Sequence, residues 1–441
     1  MTRQLRLLLT ASLVAATASV SAANWPQWRG LDSQGISEET NLPDSWSPTS
    51  NVAWKTALPG YGQSQPIVWG PRIFLTADVE TGPAPADHKA PVHLMEGQPW
   101  VHPDSVGVDK VHSLKVVSID LESGKILWEK TAYEGTVFDH RHRRSSYAAP
   151  TMVTDGKTVV AYFGPEGLYG YDFHGNLKWK ADVGKFPLLG MGTGTSPVLH
   201  ENVVIIQRDE NEGKQSLLLG YDINTGKELW RTARTVEASW STPVLVKAAG
   251  RTELVTNGNQ LIVAYDPRSG KELWRTKGVE SNAIHTPLVG HGLVIVTAGY
   301  PAKKVIAIRP GGSGDITGSD RVVWQYDRGT GYVISPILYG DYVYLVSDKG
   351  IISCLDAKTG EVKYEGGRVP VPATFMASPI AVDGKLLLTS IDGDTYVIKA
   401  GPVHQVLGTN AIGEPAASTP SISQGRILVR GATHLYCIRR T

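Results

Sequence analysis

The stretch YDINTGKELW, Tyr221 to Trp230, decides the reading of this chain because it recurs. It returns as IDLESGKILW (Ile119 to Trp128), YDPRSGKELW (Tyr265 to Trp274) and LDAKTGEVKY (Leu355 to Tyr364), with a shortened copy, YDFHGNLKW, from Tyr171 to Trp179. In each copy an apolar run ends in Asp, a turn carrying Ser, Thr or Gly follows, and an aromatic marks the return run. Asp and Thr side chains bond nearby backbone N–H groups, and Gly226 supplies the positive φ a tight turn requires. Alternating apolar residues bounded by turn signals predict a β-hairpin rather than a helix.

A second unit precedes each copy: Ser or Thr, Pro, aliphatic residues, a turn and more aliphatics. Pro197, Pro243, Pro287, Pro336, Pro379 and Pro420 each follow Ser or Thr, whereas Pro66 and Pro150 follow Gln65 and Ala149. These eight prolines lie 84, 47, 46, 44, 49, 43 and 41 residues apart. Proline is tolerated on an edge strand, where no ladder hydrogen bond is lost. Four strands, A to D, in about 45 residues make one propeller blade. The expected fold is therefore all-β, an eight-bladed propeller of four-stranded antiparallel blades. The strand-D aromatics are Trp54, Trp128, Trp179, Trp230, Trp274, Trp324 and Tyr364; the eighth place, near Val406-Leu407, has none. Trp54 precedes the first strand A and the chain stops after a strand C, so residues 51–58 are expected to supply strand D of the last blade and remove the open sheet edge.

The chain has 441 residues, enough for two or three ordinary domains, but the repeat assigns residues 51–441 to one propeller. Arg3 and Arg6 precede an apolar run, Leu7 to Val20, and Ser21-Ala22-Ala23 offers small residues for cleavage, so residues 1–23 read as a signal peptide. A secreted or periplasmic location is expected, and the leader has no cysteine for lipid attachment. No later stretch is long and apolar enough for a membrane span. Without the leader the chain has 41 basic and 42 acidic residues, a net charge of −1, which gives no electrostatic case for nucleic acid or anionic lipid. A monomer is the expected state. The two cysteines, Cys354 and Cys437, fall on strands of different blades and are expected to be buried thiols.

Residues 24–50 form an N-terminal arm whose Trp25, Trp28 and Trp46 suggest an extended segment held to the surface. Residues 78–112 are a large loop insertion in blade one, rich in Pro, Gly and His. Its His88, His93, His102 and His112 are weak candidates for a transition-metal site, since their spacing matches no tight ligand pattern; otherwise the insertion is a polar lid. Arg141, Arg143 and Arg144, just before strand A of blade two, are candidates for carboxylate or phosphate binding. Residues entering each strand A surround the channel mouth of a propeller; here Gln63, Tyr147, Trp240, His285 and Tyr332 are candidate ligand contacts alongside those arginines. No nucleophile elbow, P-loop or dinucleotide fingerprint is present, and no catalytic residue is assigned.

The D-x-x-[ST]-G-x-x-x-W repeat resembles the tryptophan-docking motif of quinoprotein dehydrogenases and the wider PQQ-like propeller repeats, over nearly all of residues 51–441. NWPQWRG (Asn24 to Gly30) and RHRRSSYAAP (Arg141 to Pro150) resemble a secreted bacterial subfamily. Resemblance to the dehydrogenases implies PQQ with Ca²⁺, yet the adjacent cysteine pair that covers the cofactor there has no counterpart here. Resemblance to the outer-membrane-assembly propeller lipoprotein implies partner binding without catalysis. The expectation is accordingly a non-catalytic propeller, without cofactor, engaging a protein or small-molecule partner on its channel face. The alternatives are a PQQ-dependent oxidoreductase and a carbohydrate-binding or carbohydrate-active propeller.

Overall fold

The computed structural model describes residues 23–95, 97–280 and 282–440; the expected leader, apart from Ala23, lies outside them. The described chain is strand and loop, with one 3₁₀ turn at Gly164–Glu166. Among the described residues no helix is long and apolar enough to cross a membrane. Eight antiparallel blades follow the predicted order, each running from an inner strand A to an outer strand D. Val52–Ala57 is strand D of blade eight, antiparallel to His434–Ile438, so the first propeller strand closes the ring onto the last.

Burial explains the strand sequences. Middle strands are covered by neighbouring blades on both faces, so Thr158–Tyr162 and Val203–Arg208 are buried throughout. Outer strands face solvent on the rim and alternate, as in Glu228–Arg234. Cys354 and Cys437 are buried free thiols on strands C of blades six and eight, and burial pushes both up to about 12.

The repeated hairpin joins each blade to the next. In blade three Asp222 Oδ1 accepts from the backbone N–H groups of Asn224 and Thr225 and from the Thr225 hydroxyl. Gly226 then turns at φ 69°, and a Cβ there would lie 2.5 Å from the Trp179 ring of blade two. That close approach, with the positive φ, is why glycine occupies the position. Trp179 Nε1 donates to Ile223 O at 2.9 Å. Trp54, Trp128 and Trp324 dock in the same way on Leu121, Phe173 and Ala357. Trp274 departs from the pattern. The wide turn of blade five, Pro310 to Asp320, folds back so that Gly314-Asp315 pairs in parallel with Trp274-Arg275, and the Trp274 indole donates to Glu253 of its own blade at 2.7 Å.

The Ser/Thr of the second unit forms a collar around the channel. The N–H of Gln65 donates to Thr151 Oγ1, that of Thr151 to Ser196, and that of Ser196 to Thr242. On the far side Thr286 donates to Ser335, Ser335 to Ser378, and Ser378 to Thr419. Each hydroxyl thus satisfies an amide two residues ahead of strand A in the preceding blade. The collar corrects one register. Pro150 does not take the place of Pro197, because Val153 rather than Thr151 begins strand A. Thr151 holds the collar position, and blade two keeps its hydroxyl two residues later than its proline suggests.

The N-terminal arm is not a surface strap. Trp25 pairs with Val68 in blade one, Pro26 O accepts from Thr154 in blade two, and Gln27 Oε1 from Leu199 in blade three. Trp28 Nε1 donates to Thr286 Oγ1 in blade five at 2.8 Å, and Arg29 Nη2 to Pro336 O in blade six at 2.9 Å. Ile36-Ser37 add a parallel strand to blade seven, and Glu39 accepts from Gln424 in blade eight. The arm therefore crosses the channel and closes it at the end opposite the insertion.

Candidate functional site

The open face carries the connections between strands B and C and those from strand D to the next strand A. At its centre is a funnel of about 170 Å³. Its floor is Trp28, its wall includes Gln63, Trp240, Ile284, Val333 and Met376, and below these lie the collar hydroxyls. Among the described residues no Asp, Glu, Lys, Arg or His lines it. Trp240 is fixed by donation of its Nε1 to Gly192 O at 2.9 Å. Around the rim Tyr61, Tyr300, Tyr332 and Val371 are exposed, and the rings of Tyr300 and Tyr332 meet at 4.9 Å.

The residues singled out from sequence divide into three groups. Gln63 and Trp240 line the funnel; Gln63 Nε2 donates to Arg144 O at 2.7 Å. Tyr332 stands on the rim, its hydroxyl accepting from Asn282 Nδ2 at 3.0 Å. Arg144 is exposed and its guanidinium has no partner among the described residues. Arg141 and Arg143 are engaged instead. Arg141 bonds Ser145 O and Glu80 and lies over the Tyr147 ring, and Arg143 pairs with Asp104 at 3.0 Å. Tyr147 and His285 are buried. Burial raises the Tyr147 hydroxyl well above its ordinary value, and that hydroxyl donates to Asp139 O at 2.8 Å. His285 receives the Thr297 hydroxyl at Nδ1 and donates from Nε2 to Tyr332 O; burial holds it at about 4, so it is neutral.

The insertion is largely built rather than loose. Strands Arg72–Pro83 and Lys110–Asp120 continue their blade outward, His93–Met95 pairs with Gln98–Trp100, and Ser105-Val106 pairs with Arg141-His142. The four insertion histidines do not converge. His88 Nε2 meets Val137 O, His102 Nδ1 accepts from Asp104 N, and His112 sits between Asp78 and Gly107 O. Burial acts against the His112 imidazolium, but the hydrogen bond and charge of Asp78 raise its pKa overall.

His93 joins a different group, with Asp139 and His140, whose ligand atoms lie within 4.8 Å of one another. Hydrogen-bond direction decides what this group does. Asn211 Oδ1 accepts from Leu189 N at 2.6 Å, which turns its amide N–H toward His93 Nδ1 at 2.9 Å. His93 must then carry its proton on Nε2, donated to Asp139 Oδ1 at 2.9 Å. A protonated nitrogen has no lone pair for a metal. Asp139 also accepts from His140 N and Leu188 N. In this arrangement the relay clamps the insertion onto blades two and three. Neither Asn211 with His93 nor Leu188 with Asp139 could be paired from sequence, because nothing local links positions so far apart.

A family model described as "Outer membrane protein assembly factor BamB" matches residues 106–231 and 213–365, together more than half of the chain. The chain belongs to this family of PQQ-like propellers. Among solved structures, BamB from Moraxella catarrhalis is similar with a TM-score of 0.53 at 14% identity, covering 82% of this chain and 100% of that one. The quinohemoprotein alcohol dehydrogenase ADHIIG from Pseudomonas putida HK5 gives 0.62 at 12% identity, covering 94% and 80%. The computationally designed Ika8 protein gives 0.51 at 12% identity, covering 77% and 95%. At these identities the likenesses establish the fold alone. A search of curated protein sequences finds no match.

Proposed function

We propose that this chain is a non-catalytic propeller, secreted or periplasmic, that engages a partner polypeptide on its channel face. The observation that carries the reading is the character of that face: an uncharged funnel ringed by the exposed Tyr61, Tyr300, Tyr332 and Val371. Aromatic residues at the edge of a shallow depression are the anchors polypeptide interfaces favour. The family's description as an outer membrane protein assembly factor favours the same role.

A quinone cofactor fits the residues poorly. PQQ carries three carboxylates, and Ca²⁺ beside it would need oxygen ligands of negative charge. Among the described residues that line the funnel there is neither a cation nor a carboxylate, and the single buried Arg29 behind its collar could not balance three carboxylates. Its volume of about 170 Å³ is below the roughly 300 Å³ at which pockets for drug-sized ligands begin. The test is a calorimetric titration of the mature protein with PQQ, with and without Ca²⁺. No saturable heat is expected. Saturable binding that Trp240→Ala abolishes, accompanied by PQQ-dependent dye reduction, would overturn the reading in favour of an oxidoreductase.

A further inference from the structure

Arg29 is completely buried where the arm crosses the channel. Its Nη2 donates to Gln34 O and Pro336 O, while Nε and Nη1 have no hydrogen-bond partner among the described residues. Among the described residues it makes no ion pair. A guanidinium withdrawn from water without a counter-charge is costly, and burial alone lowers this one to about 9.

The surroundings are also rich in donors. Ser196, Thr242, Ser335, Ser378 and Thr419 each use a lone pair to accept a collar amide, and Thr286 accepts the Trp28 indole. Among the described residues none of these six hydroxyl protons meets an acceptor, and all six residues line the funnel. Arg29 lies against this collar at both ends. Its amide donates to Oε1 of Gln65, the blade-one collar residue, and its Nη2 to Pro336, which follows Ser335. The unspent N–H donors of one fixed positive charge thus lie next to a ring of unspent O–H donors, and no carboxylate is among the described residues lining the funnel; that is an environment for an anion.

We propose that the channel holds a small monovalent anion between the Arg29 guanidinium and the hydroxyl collar, either a halide or a carboxylate of formate or acetate size. One guanidinium balances one negative charge, and a funnel of about 170 Å³ with Trp28 as its floor favours a small group. The anion ties the arm to the ring from within. This site is independent of polypeptide capture on the rim.

Thermal unfolding of the mature protein in gluconate, replaced stepwise at constant ionic strength by bromide, formate or acetate, tests the proposal. The midpoint is expected to rise by several degrees and to saturate, as for any ligand that binds only the folded state. The most effective anion separates halide from carboxylate. Arg29→Met is expected to abolish the response. Arg430→Met is expected to keep it, because Arg430, also buried with Nε and Nη2 unpartnered among the described residues, is held by Ser64 rather than by the hydroxyl collar. Should Arg29→Met fail to fold, crystals of the unaltered protein in the most effective anion decide the matter, by anomalous scattering for bromide or by difference density for formate or acetate. A peak at Arg29 Nε or Nη1 supports the site. No channel peak, or an identical anion response in Arg29→Met, overturns it.

Discussion

The indole N–H of Trp179 in blade two donates to the carbonyl of Ile223 in blade three at 2.9 Å, and Gly226 lies flat beneath the same ring. The contact couples two blades through a residue from each. Trp179→Ala is expected to lower stability by about 3–5 kcal/mol, the usual cost of emptying so large a buried site. Gly226→Ala is expected to be destabilising as well, because the added carbon would meet the ring at 2.5 Å in a backbone conformation of φ 69°. Urea unfolding followed by tryptophan fluorescence measures both; a Gly226→Ala midpoint equal to that of the parent would contradict the docking argument.

Closure of the channel by the arm gives a second expectation. Trp28→Phe keeps an aromatic side chain, though a smaller one, and removes the N–H that reaches Thr286, so at least about 1 kcal/mol of stability should be lost. Removing residues 24–37 should do far more, exposing the inner strands to hydrogen exchange. Exchange of the Val198–His200 and Leu288–Gly290 amides, compared with and without the arm, reports this. Unchanged protection would mean that the arm is dispensable.

Burial of His285 fixes the sign of a pH effect. Its folded pKa is about 4, against 6.5 in the unfolded chain, so between these values the unfolded state binds the extra proton. The stabilisation is fully present above pH 6.5 and is lost as pH falls through 4. The penalty at the acid end is roughly 3 kcal/mol. Unfolding midpoints from pH 7 down to 5 should fall more steeply for the parent than for His285→Gln; parallel curves would refute the assignment.

The two thiols, raised to about 12 by burial, should be silent toward a thiol reagent in the native protein and both react after denaturation. Reaction of either at neutral pH in the folded state would contradict their placement.

What was legible in the sequence follows from what is local. The Asp222-to-Trp230 hairpin encodes its own turn, so its recurrence marks the blade; the eight spaced prolines set the blade count, and Trp54 ahead of the first strand A points to the closing strand. Thr151 was hidden because Pro150 mimics the repeat two residues early, and proline alone does not set strand register. Trp28 and Arg29 stood in plain view, but their partners, Thr286 and Pro336, lie across the ring. His93 and Asn211 are likewise remote in the chain, 118 positions apart. Among the candidate contacts, Gln63 and Trp240 line the funnel, whereas His285 and Tyr147 entered the same list because entry to strand A fixes height in the channel but not the direction of a side chain.

Polypeptide capture on the channel face is tested most directly by site-specific photo-crosslinking in the native extracytoplasmic fraction. A photoreactive residue at Tyr332 on the rim is compared with one at Val362 on the outer strand of blade six, which is also exposed. A discrete polypeptide adduct from position 332, absent from position 362 and reduced by Tyr300→Ala, is the expected result. Adducts of equal yield from both positions, or none from position 332, would contradict the account.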